Sequence, residues 1–184
     1  MLPRSAPPSD LKSYLAEIRS AELVRFTLAF GALFLVLLWA YQALQGTMAY
    51  GFYLEEMTVK PAVALIQLVS GNESVLADGY RLVWEDNRLS VLTGCDGADA
   101  MLLLIAALLA SSLPWRSRLI GVLLGTALVY ALNVGRIAAL YFAFRHDRGL
   151  FELVHGILGP LVVIGAVLLF VLALKNRHEH TTLA

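Results

Sequence analysis

Long apolar runs separated by short polar segments organise this chain. The first run, 26–44, contains 19 residues and no charge. Because a helix needs roughly 20 apolar residues to cross the hydrocarbon layer, this run predicts a membrane-spanning helix. Later runs at 98–113, 119–144 and 150–174 predict three more spans, of which 98–113 is short. The pattern therefore predicts a bundle of about four transmembrane helices.

The segment 46–97 between the first two spans is mixed in character. Within it, residues 59–69 are apolar but too few to span, and they include a lysine and a proline. We expect a helix that lies at the interface or re-enters the membrane. Residues 80–92 form two β-rich arms around a turn-like centre at 85–87, which predicts a hairpin.

The polar N-terminal segment 1–22 begins with several prolines and then becomes amphipathic. We expect an unstructured start followed by a short amphipathic helix. The remaining residues, 23–184, are expected to form a single transmembrane domain in which 46–97 is a small insertion.

Composition supports a membrane protein rather than a soluble domain. The chain is 59% hydrophobic and only 15% charged, with a mean hydropathy of +0.71, whereas soluble domains are about half apolar and a quarter charged. The net charge of zero gives no electrostatic basis for nucleic-acid binding. A single cysteine forms no internal disulfide. The expected fold class is an all-α integral membrane protein.

The distribution of basic residues predicts the orientation. Four spans place both termini on one side, and the N-terminal segment, the 114–118 loop and the tail together carry eight Lys and Arg residues against five on the opposite side. Since cytoplasmic loops are enriched in Lys and Arg, both termini are expected in the cytoplasm, with 46–97 facing outward.

The lone cysteine, Cys95, lies in the turn Gly94–Cys95–Asp96–Gly97, just before the 98–113 span. A lone cysteine most often fills space in a core. Here the flanking glycines allow the backbone to approach a ligand closely, and a turn position leaves the sulfur accessible. We therefore interpret Cys95 as a candidate nucleophile, with Gly94, Asp96 and Gly97 in support.

Two further polar residues lie inside predicted spans. Arg136 is expected about 12 Å below the outer end of its span, and His155 about 7 Å inside the last one. Arg136 could simply extend to the surface and His155 could bond a backbone carbonyl, but a charge within a span usually marks a functional site. Asn133, one turn before Arg136, is expected to orient the guanidinium. Cys95, Arg136 and His155 thus come from different helices to similar depth.

These three side chains suit acyl transfer through a thioester. A thiolate is the nucleophile, so the thiol pKa is expected to fall from about 8.5 beside an imidazole or guanidinium. The imidazole can protonate a leaving amine, and Arg136 can stabilise an oxyanion.

Three sequence blocks, "TGCDG", "LNVGRIAAL" and "ELVHGILG", resemble in order the Cys, Arg and His blocks of exosortases, the bacterial members of the exosortase/archaeosortase family. The resemblance covers about 80–174, and the chain length is similar to a short subtype such as exosortase H. It implies a membrane transpeptidase with Cys95 as nucleophile, His155 as acid and base, and Arg136 as electrostatic partner.

The resemblance also implies the substrates and the location. The expected partners are exported proteins whose C-terminal signal comprises a short motif, a transmembrane helix and a basic tail, together with an unknown acceptor nucleophile. The expected location is the bacterial inner membrane, with the site facing outward. Small residues on the last span, Gly156, Gly159 and Gly165, are candidates for a face on which the substrate helix docks.

Other interpretations remain open at this point. Arg136 and His155 could instead bind a lipid head group or a partner helix in a non-enzymatic membrane subunit. His146, in the charged loop 145–149, is an alternative base. A metal-dependent hydrolase would draw on His146, Asp147 and the tail histidines His178 and His180. Because the chain has no helical His-x-x-x-His pair, we expect neither a metal nor a cofactor.

Overall fold

The protein is described by a computed structural model covering residues 9–71 and 74–182, with side chains described for 20–71 and 74–178. It is mostly helical. The helices are α1 Ser9–Leu44, α2 Met48–Leu54, α3 Lys60–Ser70, α4 Ala98–Ala110, α5 Trp115–His146, α6 Arg148–Leu153 and α7 Gly159–Thr182. Two π-helical turns, Glu55–Val59 and Val154–Leu158, join α2 to α3 and α6 to α7. The strands are β1 Leu76–Asp78, β2 Arg81–Trp84 and β3 Asn87–Ser90.

Helix α1 is one continuous helix of 36 residues. The helix expected in the N-terminal segment is therefore present, but it is not short, because it continues into the first span. The reason is local: no glycine or proline occurs between Ser9 and Arg25, so nothing interrupts the helix before the apolar run begins. Residues 1–8 lie outside the described part of the chain.

Three helical segments of the described chain are long and apolar enough to cross a membrane, namely 20–44, 115–146 and 148–178. These segments confirm an integral membrane protein. The predicted span at 98–113 corresponds to α4, which has 13 residues. At about 1.5 Å per residue α4 is roughly 20 Å long, less than the hydrocarbon thickness of about 30 Å. It packs against α1, α5 and α7.

Glycines bring α4, α5 and α7 into close contact. A Cβ on Gly125 would lie 2.5 Å from a methyl of Leu104, and one on Gly121 would lie 2.6 Å from a methyl of Leu174. Small residues at such positions let membrane helices approach closely. The bundle core that results contains Leu104, Leu108, Leu113, Val129 and Val163.

A second core, the cap, lies at the other end of α5. Ile137, Ala138 and Tyr141 of α5 pack there against residues of α3 and the sheet, and the Trp84 ring meets the Tyr141 ring edge-on at 4.8 Å. Helix α5 therefore runs from the bundle into the cap. Arg136 lies one residue before this cap segment, so it sits at the boundary between the two cores.

The insertion matches its prediction in part. The hairpin at 80–92 is confirmed, since β2 and β3 pair with Leu82 opposite Leu89. Residues 59–69 do form a helix, α3, which buries Ala62, Val63 and Ile66 in the cap. Strand β1 completes a three-stranded antiparallel sheet of order β1–β2–β3. It was missed because three residues are too few to show an alternating pattern.

The predicted loop 145–149 is almost absent. Helix α5 continues to His146 and α6 begins at Arg148, so only Asp147 interrupts the helical run. The Asp147 carboxylate accepts a hydrogen bond from the Leu150 amide at 2.9 Å and thereby caps α6. The chain thus reverses sharply, which brings the start of α6 close to the end of α5.

Each π-helical turn is followed closely by a proline. Pro61 follows the first turn by two residues and Pro160 follows the second by two. Proline has no N–H and its ring collides with the carbonyl four residues earlier, so a regular turn is disfavoured there. A wider turn avoids the collision: the amide of Gly159 donates to the carbonyl of Val154, five residues back. Pro160 therefore explains the local geometry around His155.

Candidate active site

Cys95 sits in a tight turn shaped by two glycines. Gly94 and Gly97 adopt φ values of +86° and +80°, a left-handed conformation that favours glycine. The Cys95 amide donates to the Leu92 carbonyl at 2.9 Å. There is also no room for a side chain at position 97, because a Cβ on Gly97 would lie 2.7 Å from Cγ of Asn133. The turn holds a half-buried thiol at the N-terminal end of α4.

His155 approaches this thiol from another helix. Its Nδ1 atom lies 3.6 Å from Sγ of Cys95, although the two residues are 60 positions apart in sequence. The imidazole stacks on the Phe151 ring, with centroids 5.6 Å apart and an interplanar angle of 2°. Stacking fixes the ring plane, and the π-helical turn sets its direction. This contact brings together a nucleophile type and a base type within hydrogen-bond reach.

Arg136 connects the two halves of the site. One terminal nitrogen donates to the Gly94 carbonyl and the other to the His155 carbonyl, each at 3.3 Å. Its Nε atom is buried and has no hydrogen-bond partner among the described residues. The guanidinium therefore bridges the cysteine turn and the histidine helix while keeping a fixed positive charge beside the sulfur.

Asn133 does not orient Arg136 as the sequence suggested. Its Nδ2 atom donates instead to the Cys95 carbonyl at 3.2 Å, and the side chain is buried. The helical spacing correctly placed Asn133 on the face of the site. The turn between Gly94 and Gly97 lies close enough to Asn133 to accept a hydrogen bond from its side-chain amide. Spacing along the sequence does not reveal that the turn packs there.

Asp96 is surrounded by tyrosines that no motif in the sequence distinguishes. Its buried carboxylate accepts hydrogen bonds from the hydroxyls of Tyr41 and Tyr50, the latter at 3.4 Å, and from the Ala98 amide at 3.2 Å. Tyr53 donates to the Asp96 carbonyl at 2.9 Å. Burial raises the pKa of Tyr53 to about 12, so it remains a donor. The clustering of three tyrosines at the end of an apolar run was the available signal.

The electrostatics of the thiol differ from the prediction. Burial raises the pKa of the Cys95 thiol above its ordinary value; the Arg136 charge lowers it, and the Asp96 charge raises it. The net direction is upward, opposite to the expected fall. The physical reason is that the turn which positions the sulfur also removes it from water, and desolvation disfavours the thiolate.

The candidate docking glycines separate into two groups. Gly156 and Gly165 have open space where a Cβ would lie, as a docking face requires. Gly159 is buried, and a Cβ there would lie 2.5 Å from Nε of Arg136. The expectation that Gly159 faces a substrate helix is therefore wrong, because this glycine accommodates the guanidinium.

The alternative residues are placed elsewhere. His146 is exposed at the C-terminal end of α5, and Asp147 caps α6. No group of three or more His, Cys, Asp or Glu residues suited to a metal occurs within 20–71 and 74–178. The side chain of His180 lies outside the described residues.

The fold and the site together define a helical membrane protein in which a cysteine turn, an arginine and a histidine meet where the bundle joins the cap. The sequence model of the transmembrane exosortase family matches residues 13–173, nearly the whole chain. The protein therefore belongs to the exosortase family, and the match includes the N-terminal half that the three sequence blocks leave out. Membership of this family indicates, in general terms, a membrane peptidase or transpeptidase. No curated protein and no solved structure matches the chain.

Proposed function

We propose that this protein is a cysteine transpeptidase that cleaves the C-terminal sorting signal of exported proteins close to their transmembrane helix. The contact between Cys95 Sγ and His155 Nδ1, at 3.6 Å, is the observation that carries the proposal. A thiol and an imidazole from separate helices at this distance meet the geometric requirement for an activated nucleophile.

The reaction begins with attack of the Cys95 sulfur on the scissile carbonyl. His155 accepts the thiol proton as the carbon–sulfur bond forms. Collapse of the tetrahedral intermediate breaks the carbon–nitrogen bond, and His155 returns the proton to the departing amine. An acceptor amine, or water, then attacks the thioester carbonyl while His155 takes its proton. The carbon–sulfur bond breaks, and His155 returns the proton to the Cys95 sulfur.

The raised pKa of Cys95 bears on how this step starts. Because burial favours the neutral thiol, the resting site holds a protonated sulfur rather than a preformed thiolate. The proton is therefore transferred to His155 as the sulfur attacks. A neutral resting thiol also limits unwanted alkylation and oxidation, since the thiolate is the reactive form.

Arg136 has two roles in this proposal. Its hydrogen bonds to the Gly94 and His155 carbonyls hold the nucleophile and the base in register. Its positive charge lies beside the carbonyl under attack, where an oxyanion develops. A fixed cation that is already in place stabilises such charge without reorganisation.

The position of the site fits a substrate that is itself anchored in the membrane. Cys95 lies where the helical bundle meets the cap, and a bond just outside a transmembrane helix reaches this level when that helix lies alongside the bundle. Gly156 and Gly165 leave room for such packing on the last span. We propose a location in the bacterial inner membrane with both termini in the cytoplasm and the site facing outward.

Trapping the acyl-enzyme tests the proposal. Membranes containing the protein and a co-expressed substrate with the C-terminal signal are quenched in acid, and peptides linked to Cys95 are identified by mass spectrometry. We expect a thioester on Cys95 that hydroxylamine releases, and none on a Cys95→Ala variant that accumulates to the same level. If processing continues in Cys95→Ala, Cys95 is not the nucleophile and the proposal is wrong.

A further inference from the structure

A cavity of about 820 Å³ opens at the end of the bundle opposite Cys95. It lies between the first half of the span in α1, the C-terminal end of α4 and the last turns of the span in α7. Ala107, Leu109 and Ala110 of α4 line it, together with residues 111–113 of the following turn. Val171 and Lys175 line it from α7. It is separate from the cysteine site, which lies at the N-terminal end of α4.

The short α4 explains why the cavity exists. Its 13 residues cover roughly 20 Å, whereas α1 and α7 extend further in the same direction. Past Ala110, the chain leaves the helix and turns toward α5, and the space between α1 and α7 is no longer filled by protein. Non-helical backbone at this level requires partners, and Arg118 supplies them by donating to the carbonyls of Leu113 at 2.6 Å and Leu109 at 3.0 Å.

The walls and the mouth of the cavity differ in chemistry. The wall on α1 is apolar, formed by Phe26, Ala29 and Leu33. The mouth carries the cations Arg25, Arg118 and Lys175 and one carboxylate, Glu22. Leu33 is eight residues from Arg25, so the apolar wall extends about 12 Å inward from the charged level. The site therefore combines a net positive mouth with an apolar slot along the membrane normal.

We propose that this cavity binds one anionic phospholipid, with its phosphate at Arg25, Arg118 and Lys175 and an acyl chain against the α1 wall. Basic pockets between transmembrane helices select anionic head groups in this way. A phospholipid supplies both a fixed anion and a hydrocarbon chain. A peptide helix in the same slot supplies no fixed phosphate at the level of the three cations.

Lipid titration followed by native mass spectrometry tests the proposal. The full chain, delipidated in mild detergent, is titrated with phosphatidylglycerol or with phosphatidylcholine of the same acyl chains. We expect tighter binding of phosphatidylglycerol. The double variant Arg25→Gln with Lys175→Gln should lose about fivefold in affinity for phosphatidylglycerol for each charge removed. It should lose less affinity for phosphatidylcholine, because the choline cation offsets the charge of that lipid's phosphate.

Matched controls separate the cavity from general surface charge. Arg116→Gln removes a cation from the first turn of α5 that does not line the cavity, and it should keep the wild-type preference. Ala29→Phe fills the slot without altering charge and should weaken both lipids alike. Equal binding of the two lipids to the wild-type chain would overturn the proposal. An equal loss in Arg116→Gln, or displacement of phosphatidylglycerol by millimolar inorganic phosphate, would also overturn it.

Discussion

Gly159 lies directly against Arg136, so closely that a Cβ on this glycine would come within 2.5 Å of the guanidinium Nε. The same Cβ would lie 2.8 Å from the Val154 carbonyl oxygen, which is backbone and cannot move aside easily. Gly159, in the histidine block of the sequence, therefore has to be a glycine because the Arg136 side chain occupies the space beside it. This contact links two parts of the sequence whose connection is invisible in their order along the chain.

Substitution of this glycine is the first prediction. Gly159→Ala should displace Arg136 from the Gly94 and His155 carbonyls and lower processing at least about tenfold, because a misplacement of about 1 Å at a reacting site is costly. Gly31→Ala, which meets open space on α1 and has no part in the site, is the matched control and should retain near-normal processing. The measurement is the rate of substrate cleavage at equal protein level in membranes. Equal rates in the two variants would contradict the assigned contact.

The second prediction concerns the shape of the Arg136 side chain. Arg136→Lys should impair cleavage nearly as much as Arg136→Ala, since lysine keeps the charge but cannot donate to two carbonyls in a fixed plane. Cleavage rates of both variants, compared at matched abundance in the membrane, measure this. Near-normal activity of the lysine variant would show that Arg136 acts only as a point charge.

The third prediction gives the sign of two pKa changes. Burial raises the pKa of Cys95, so alkylation by iodoacetamide should rise with pH only above the range of an ordinary thiol, not below pH 7. Because the Arg136 charge lowers this pKa, Arg136→Gln should shift the alkylation profile to higher pH. Because the Asp96 charge raises it, Asp96→Asn should shift the profile to lower pH. Shifts in the reverse directions would contradict the electrostatic description of the site.

The fourth prediction concerns the hydroxyls around Asp96. Tyr41→Phe removes a donor from a buried carboxylate and should destabilise the protein by about 1–3 kcal/mol. The measurement is the thermal unfolding midpoint in detergent. Tyr80→Phe, in which the lost hydroxyl belongs to the hairpin and meets Arg81, should leave the midpoint almost unchanged. A Tyr41→Phe variant as stable as Tyr80→Phe would mean that the hydroxyl contributes nothing to holding Asp96.

The fifth prediction distinguishes the two candidate bases. His155→Ala should slow cleavage by about 10²–10⁴-fold, the usual contribution of a positioned acid–base group, because its imidazole meets the Cys95 sulfur. His146→Ala should have little effect, since His146 is exposed at the end of α5. Added imidazole should partly restore the His155 variant. The assignment is wrong if the loss occurs in His146→Ala instead.

Local sequence patterns are enough to define the class of this protein and to identify its unusual residues. Apolar runs are long and local, so they predicted the membrane helices and the hairpin without knowledge of packing. The three blocks around Cys95, Arg136 and His155 also indicate the family that the match over residues 13–173 shows. Composition and periodicity are properties of residues that are close together in the sequence, so they can be recognised without the tertiary structure.

Contacts between segments that are distant in sequence depend on how the helices and turns pack, and the sequence patterns do not reveal them. Asn133 was placed on the correct face but assigned the wrong partner, because the approach of the Gly94–Gly97 turn is not encoded in helical spacing. Tyr41, Tyr50 and Tyr53 belong to α1 and α2, and only folding brings them to Asp96. The direction of the Cys95 pKa was reversed for the same reason. Burial is a property of everything packed around a thiol, and the residues beside it in sequence do not reveal it.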